Sequence, residues 1–188
     1  MKKTNKLILI FLPILALLTF GGFLWSQDAK NIQKYDFTLQ SDRGDIKLSD
    51  FRGKKTLVYF GYGLCPDICP TTLVEIAKAL NELTPMERNG VKTVFVSVDP
   101  SRDKPKDLAV FAKYFHRDII GATSSEAYIE KLAANYGVSY KKVPQPDSAI
   151  GYSVGHTADI YVIDKRGKLE AVLPFGIGAK EIVGAIRK

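Results

Sequence analysis

The sequence predicts a layered α/β domain, a mixed central sheet flanked by helices, behind an N-terminal hydrophobic segment. Three observations predict it. From residue 56 onward, apolar β-branched runs alternate with segments of helical spacing. The chain closes with two strand patterns around the turn signal Lys165-Arg166-Gly167-Lys168, followed by a helical pattern. Leu7 to Trp25 is an uncharged stretch of 19 residues, long enough to span a bilayer. A length of 188 residues fits one ordinary domain plus a tail.

Taken in order, the elements begin with the tail. Lys2, Lys3 and Lys6 precede the apolar stretch and no acidic residue does, which orients the N-terminus toward the cytoplasm. The expectation is a cytoplasmic segment 1–6, an uncleaved transmembrane signal-anchor 7–25, a linker 26–34 and a domain 35–188 on the outer side. A cleaved secretory signal is the alternative; its apolar region is normally shorter, and no clear small-x-small site precedes Ser26-Gln27-Asp28. Residues 35–40 and 45–48, joined through Ser41-Asp42-Arg43-Gly44, read as a hairpin. Thr56 to Phe60 is a strand, and Leu73, Ile76, Ala77, Leu80 and Leu83 mark an amphipathic helix. Val91 to Val98 is a buried parallel strand. Pro105 opens a helix with Leu108, Phe111 and Phe115 on one face, and residues 119–123 form a short strand. Ala127, Ile129, Leu132, Ala133 and Tyr136 mark a helix ended by Gly137. Residues 138–143 extend, 144–148 form an exposed Pro/polar loop, 158–164 and 168–173 pair antiparallel, and 179–187 is the closing helix.

Both cysteines lie in one hexapeptide, Cys65-Pro66-Asp67-Ile68-Cys69-Pro70. They must pair with each other, share a metal or both stay free. A strand, the Gly61-Tyr62-Gly63 loop and then cysteines at a helix start is the layout of a thiol site, because a helix N-terminus stabilises thiolate over thiol. With Cys65 beginning the helix and Cys69 one turn on, the two Cα atoms would lie roughly 6 Å apart, within disulfide range. The same approach lets two thiolates grip one metal ion. Pro66 suits a first helical turn, whereas Pro70 is expected to distort it. Two cysteines buried as small hydrophobes are the bland alternative, disfavoured by the adjacent Gly and Pro residues. A structural zinc site is weaker still, since the chain has only two Cys and two His in all.

Of the two histidines, His116 falls at the polar end of a helical segment and reads as a solvated helix-end residue favourable to the dipole. His156 stands in Gly155-His156-Thr157, just before the 158–164 strand pattern. In thioredoxin-like proteins that position brings a loop over the active-site cysteines, with a cis-proline in the slot that His156 takes here.

The hexapeptide, the run Val98-Asp99-Pro100-Ser101-Arg102-Asp103 and His156-Thr157, in this order and spacing, resemble the Sco/SenC family across residues 35–187. That family comprises thioredoxin-fold copper-binding proteins that help assemble cytochrome c oxidase. The resemblance implies a thioredoxin-like fold and metal ligation by Cys65, Cys69 and His156, with a Cys65–Cys69 redox pair that can close to a disulfide. It implies copper, as Cu(I) and Cu(II): two thiolates are soft donors that select Cu(I), and an imidazole suits the set to Cu(II) as well. The implied partners are the copper-binding subunit of cytochrome c oxidase, a copper donor and a thiol reductase. One departure is Gly155, where many relatives carry an acidic residue that could accept a hydrogen bond from the histidine. Asp99, at the carboxyl edge of the sheet, has two readings: a residue supporting the ligands from behind, and, favoured, a cap for the helix that follows.

The role expected is a membrane-anchored copper chaperone, with no substrate turnover, that delivers copper to the oxidase's copper centre or prepares its thiols. The enzyme alternative is a thiol–disulfide oxidoreductase using Cys65 and Cys69; against it stand the C-x-x-x-C spacing and His156 in place of proline. A peroxide-reducing enzyme is third, because Val58 and Tyr62 occupy the positions where its family places Pro and Thr. The soluble part is expected in an oxidising compartment: the periplasm, the cell exterior or, in a eukaryote, the intermembrane space. The 27 basic residues against 20 acidic ones give a mild excess, three of them in the tail, and the rest are scattered. Nucleic acid is therefore not an expected partner.

Overall fold

The computed structural model describes residue 27 and residues 29–188. The expected cytoplasmic segment and anchor lie outside the described residues. Among the described residues no helix is long and apolar enough to cross a membrane. Where a linker was expected, residues 29–35 are helical. Tyr35 ends that segment with its ring edge-on to Tyr136, 5.1 Å between centroids.

One seven-stranded sheet forms the body. Its strands are β1 (Thr38–Ser41), β2 (Gly44–Lys47), β3 (Lys55–Gly61), β4 (Val91–Ser97), β5 (Ile119–Thr123), β8 (Ile160–Ile163) and β9 (Leu169–Leu173), in the order β2-β1-β5-β4-β3-β8-β9. β3, β4 and β5 run parallel; β1 joins β5, and β8 joins β3, antiparallel. Helices cover the sheet: α1 (Ile68–Glu82), α2 (Pro85–Asn89), α3 (Pro105–Phe115), α4 (Glu126–Tyr136) and α5 (Ala179–Arg187). Burial on both faces explains why residues 57–60 of β3 form a continuous apolar run rather than alternating; all seven residues of the strand are buried. Lys55 is accommodated there because its Nζ reaches Glu170 at 2.8 Å and donates to the Ala185 carbonyl. α4 stops at Gly137, which takes the left-handed conformation at φ +76° and donates back to Ala133 and Ala134.

The mixed sheet, the N-terminal hairpin and the closing hairpin with its helix are as the sequence predicts. Four local expectations are not. First, a separate two-stranded arm, β6 (Tyr140–Pro144) with β7 (Tyr152–His156), stands off the main sheet, and its register sets Tyr140 opposite His156. No strand was expected before His156, which ends β7 instead of lying in a loop. Second, α1 starts at Ile68, not at Cys65. Pro70 therefore occupies the third helical position, where a backbone N–H has no intrahelical partner to lose, and no distortion is needed. Third, His116 is buried, and its Nδ1 accepts the Asp118 backbone N–H at 3.1 Å. Burial pushes its pKa down, so it offers no cation to the helix dipole. Fourth, α3 is preceded by Lys104, so Asp99 does not cap it.

Candidate metal centre

The carboxyl end of β3 delivers the first two donors. After Gly61 the chain turns through Tyr62 and Gly63, places Cys65 in the turn ahead of α1 and Cys69 in its first turn. The Cys69 backbone N–H, one of the unpaired donors of the helix start, points at Cys65 Sγ from 3.4 Å. Gly61 makes room for this packing: a Cβ on it would lie 2.6 Å from Cys69 Sγ. Both thiols are free, Cys69 fully buried and Cys65 nearly so. Leu64 and Ile68, beside them in sequence, are exposed apolar side chains.

β7 delivers the third donor. His156 Nε2 lies 3.3 Å from Cys69 Sγ, and the two sulfurs and an imidazole nitrogen all fall within 4.8 Å of one another. The imidazole tautomer follows from its other contact. Nδ1 sits 2.9 Å from the Thr157 carbonyl, which can only accept, so Nδ1 carries the proton and Nε2 turns a lone pair toward the sulfurs. The acidic side chain missing at Gly155 is thus replaced by a backbone carbonyl as the group that orients the ring. Tyr62 and Tyr59 wall the ring edge-on, with centroids at 6.0 and 6.4 Å.

The two thiols share one proton unequally. The hydrogen bond from Cys69 holds Cys65 down to about 3, against its burial and with help from the Cys69 backbone N–H. The same bond, with burial, pushes Cys69 up. Cys65 is therefore the thiolate and Cys69 keeps the proton, facing His156 Nε2. This is a preformed donor set of one thiolate, one thiol that must give up its proton to a metal, and one imidazole lone pair. Soft sulfur with nitrogen suits Cu(I) and Cu(II) and leaves at least one coordination position open. A further observation concerns the Tyr59 hydroxyl, which is buried beside Cys69 and Thr72 with no hydrogen bond of normal geometry. Burial raises the pKa of that hydroxyl, so it remains an O–H donor.

A family model described as SCO1/SenC matches residues 26–188. The chain belongs to the SCO1/SenC family. As a SCO1/SenC protein it is 36% identical over 148 residues to a SCO2-like protein of Rickettsia prowazekii, a match covering 78% of this chain and 72% of that one. It is 33% identical over 155 residues to the mitochondrial SCO2 homologue of Mus musculus, covering 81% of this chain but 60% of that protein. Among solved structures, apo Sco1 of Thermus thermophilus aligns with TM-score 0.73 at 34% identity, over 81% of this chain and 89% of that one. Bradyrhizobium japonicum ScoI, solved with copper bound, aligns with TM-score 0.72 at 33% identity, over 81% of this chain and 96% of that one. The layered α/β arrangement is thus the thioredoxin-like fold of the SCO1/SenC family.

Of the residues singled out in the sequence, Cys65, Cys69 and His156 come together, and Asp99 sits elsewhere. Its carboxylate is fully buried and bonds to Ser101, Arg102 and Tyr152. Burial opposes its ionisation, but those three partners outweigh it and hold its pKa below the usual carboxylate range. Nothing in the sequence by itself gives a role to Tyr59, Tyr62, Arg102, Asp103 or Tyr152. Arg102 and Asp103 lie in the Val98–Asp103 run quoted for the family, which was the available signal; nothing local marks the three tyrosines.

Proposed function

We propose that this chain binds a copper ion through Cys65 Sγ, Cys69 Sγ and His156 Nε2 and serves in assembly of the copper centre of cytochrome c oxidase. The observation that carries the reading is the cluster of two sulfurs and an imidazole nitrogen within 4.8 Å, with the Nε2 lone pair free to donate. Cys65 offers a ready thiolate, Cys69 gives up its proton on binding, and His156 extends the site from Cu(I) to Cu(II). Copper-bound ScoI relatives in Bradyrhizobium japonicum and Arabidopsis thaliana support copper as the ion. Family membership supports the oxidase as partner, with its copper-binding subunit as acceptor, a separate copper donor and a thiol reductase as the proposed participants. Anchoring by residues 7–25, with the domain on the outer face of the membrane, completes the proposal; membrane fractionation and labelling of the reduced thiols by an impermeant reagent test it.

The test of the site uses the reduced protein with copper alone. Cys65→Ser and Cys69→Ser each abolish tight Cu(I) binding, because one sulfur and one imidazole leave too few soft donors. His156→Ala weakens Cu(II) more than Cu(I), since two thiolates suffice for Cu(I). Unchanged stoichiometry and affinity in both cysteine variants overturns the assignment.

The low-lying Cys65 thiol also supports a second activity. The thiolate form of Cys65, beside a protonated Cys69, is the form that attacks a disulfide of a partner. The Cys65 thiolate forms a mixed disulfide and releases one partner thiolate. Cys69, once deprotonated, attacks Cys65, closes the Cys65–Cys69 disulfide and frees the second partner thiol. The partner is reduced and this chain is oxidised by the same two electrons. Trapping of a mixed disulfide through Cys65 in the Cys69→Ser variant checks it; failure to trap removes the thiol role and leaves the copper site standing.

A further inference from the structure

We propose that Asp99 and Arg102, on the loop after β4, form a clasp that holds the β6–β7 arm closed over the sulfurs, making them positioning residues for His156. The inference rests on the reading of His156 as the third ligand and adds the device that keeps it in place.

The arm needs such a device. A lone two-stranded hairpin is marginally stable in water, and this one is outside the main sheet. Its base is tied where Thr157 and Ser139 exchange bonds: Thr157 N–H to Ser139 O at 2.9 Å, and Ser139 N–H to Thr157 Oγ1 at 3.1 Å. An exposed Lys142–Glu126 pair adds little. Val154 is buried against the core and Ser101 Oγ lies 3.1 Å from the Tyr152 hydroxyl; the charged hold on the arm's backbone comes from Arg102. Its Nη1 donates to two arm carbonyls, Ile150 at 3.0 Å and Tyr152 at 2.8 Å, and its guanidinium lies 3.6 Å over the Tyr152 ring. Asp99 fixes both sides of this contact: it accepts from Arg102 Nε and from the Tyr152 hydroxyl. A planar guanidinium can stack on a ring and donate in several directions at once, which a lysine cannot.

The geometry passes directly to the ligand. Tyr152 and His156 are four residues apart on β7, so they share one face of the strand. Pinning Tyr152 sets which face of β7 is turned inward and anchors it about 13 Å from the imidazole. A second path is shorter: Arg102 lies 5.8 Å from the Tyr62 ring, whose edge meets the His156 ring. The same loop also holds the cysteine side. Asp103 accepts the Gly63 backbone N–H at 2.8 Å and the Ser97 hydroxyl. One segment, Val98 to Asp103, therefore grips both the turn that leads to Cys65 and the strand that ends in His156. The buried Asp99–Arg102 pair is better explained as a device for alignment than as a source of stability, since buried ion pairs contribute little net stability.

The test compares wild type, Arg102→Met, which keeps an apolar stem and removes the guanidinium, and Tyr152→Phe, which removes one hydroxyl. In reduced, metal-free protein, amide exchange across residues 140–156 should quicken about tenfold in Arg102→Met and less in Tyr152→Phe, while β3 and β4 amides are unchanged. With Cu(II) alone, affinity should fall about 10–100-fold in Arg102→Met, the usual cost of losing a group that orients a ligand. Cu(I) affinity should stay within about twofold, and Arg102→Met combined with His156→Ala should be no weaker for Cu(II) than His156→Ala alone. Equal losses for Cu(I) and Cu(II), or additive losses in the double variant, overturn the clasp. Should Arg102→Met not fold, Tyr152→Phe carries the same comparison at smaller amplitude. If wild type takes up no copper, the site reading fails by itself, and the exchange experiment alone decides the clasp: unchanged exchange in both variants overturns it.

Discussion

Gly61 is the position where one methyl group should do the most damage at the metal site. An alanine Cβ there would stand 2.6 Å from Cys69 Sγ and 2.7 Å from Phe95 Cε2, about 0.8 Å inside the 3.4 Å at which ordinary contact begins. Neither neighbour can retreat freely, because Cys69 and Phe95 are both fully buried. Overpacking of this kind costs about 1–3 kcal/mol. For a domain of this size that corresponds to a fall of about 2–4 °C in Tm per kcal/mol. The effect on ligation should be larger than on stability, since a displaced sulfur misses the roughly 0.2 Å tolerance of a metal–ligand distance. Gly155→Ala is the internal control: nothing lies within 4 Å of a Cβ at that glycine, one residue from His156. Thermal unfolding of the reduced proteins and Cu(I) competition titrations read both effects. Gly61→Ala should lose several degrees and more than about tenfold in Cu(I) affinity, with Gly155→Ala near wild type in both. A Gly61→Ala protein with wild-type Tm and affinity would show that Cys69 is not packed into the space that a side chain at residue 61 would need.

Tyr59→Phe should stabilise the reduced, metal-free protein by about 1 kcal/mol, because it removes a buried hydroxyl without a partner; a comparable loss in chemical denaturation would mean that the hydroxyl is already bonded. The thiol pair predicts a pH dependence whose sign follows from proton counts. Above about 3 the folded pair carries one proton, on Cys69, while the unfolded chain carries two until the ordinary thiol value of 9.0. The unfolded state thus binds more protons, and the pair's contribution to stability grows as pH rises from about 5 to about 8. Above the ordinary thiol range the unfolded chain loses both protons while Cys69 keeps its own, and the contribution declines. The stability difference between reduced wild type and Cys65→Ser, followed against pH, checks it; a flat difference refutes the thiolate assignment.

The parts of this fold that are local in sequence were legible, and those made by distant contacts were not. β3, β4 and α1 announce themselves through runs and periods that burial imposes. The two cysteines stand out because Gly and Pro residues surround them. His156 emerged from its place ahead of a late strand and from the family resemblance. The arm that carries it did not: β7 is five residues long and buries only Val154, so its Tyr-Ser-Val-Gly-His alternation is too short to stand out. The start of α1 was misplaced because Cys65-Pro66 satisfies the same local preferences as Ile68-Cys69-Pro70, and tertiary packing chose between them. His116 looked like an exposed helix end, because nothing in Phe115-His116-Arg117 signals that its ring is buried. Asp99 looked like a cap because Asp-Pro-Ser is turn chemistry; besides the local Ser101 and Arg102 it is bonded by Tyr152, 53 residues away.

The separation between donors has a consequence for timing. Cys65 and Cys69 are four positions apart, whereas Cys69 and His156 are separated by 87. The sulfurs can meet in a chain that has not folded, since closing so short a loop takes well under a microsecond and needs no other part of the molecule. The imidazole joins them only after β3, β4 and the β6–β7 arm have all assembled. Oxidation of the pair is therefore open to the nascent chain, and three-donor capture of a metal is reserved for the finished one. In an oxidising compartment a newly made molecule is then expected to reach its native shape with the disulfide already closed. Its first encounter as a folded protein would be with a reductant rather than with copper, and the order of those two encounters would be set by chain connectivity before any regulation acts.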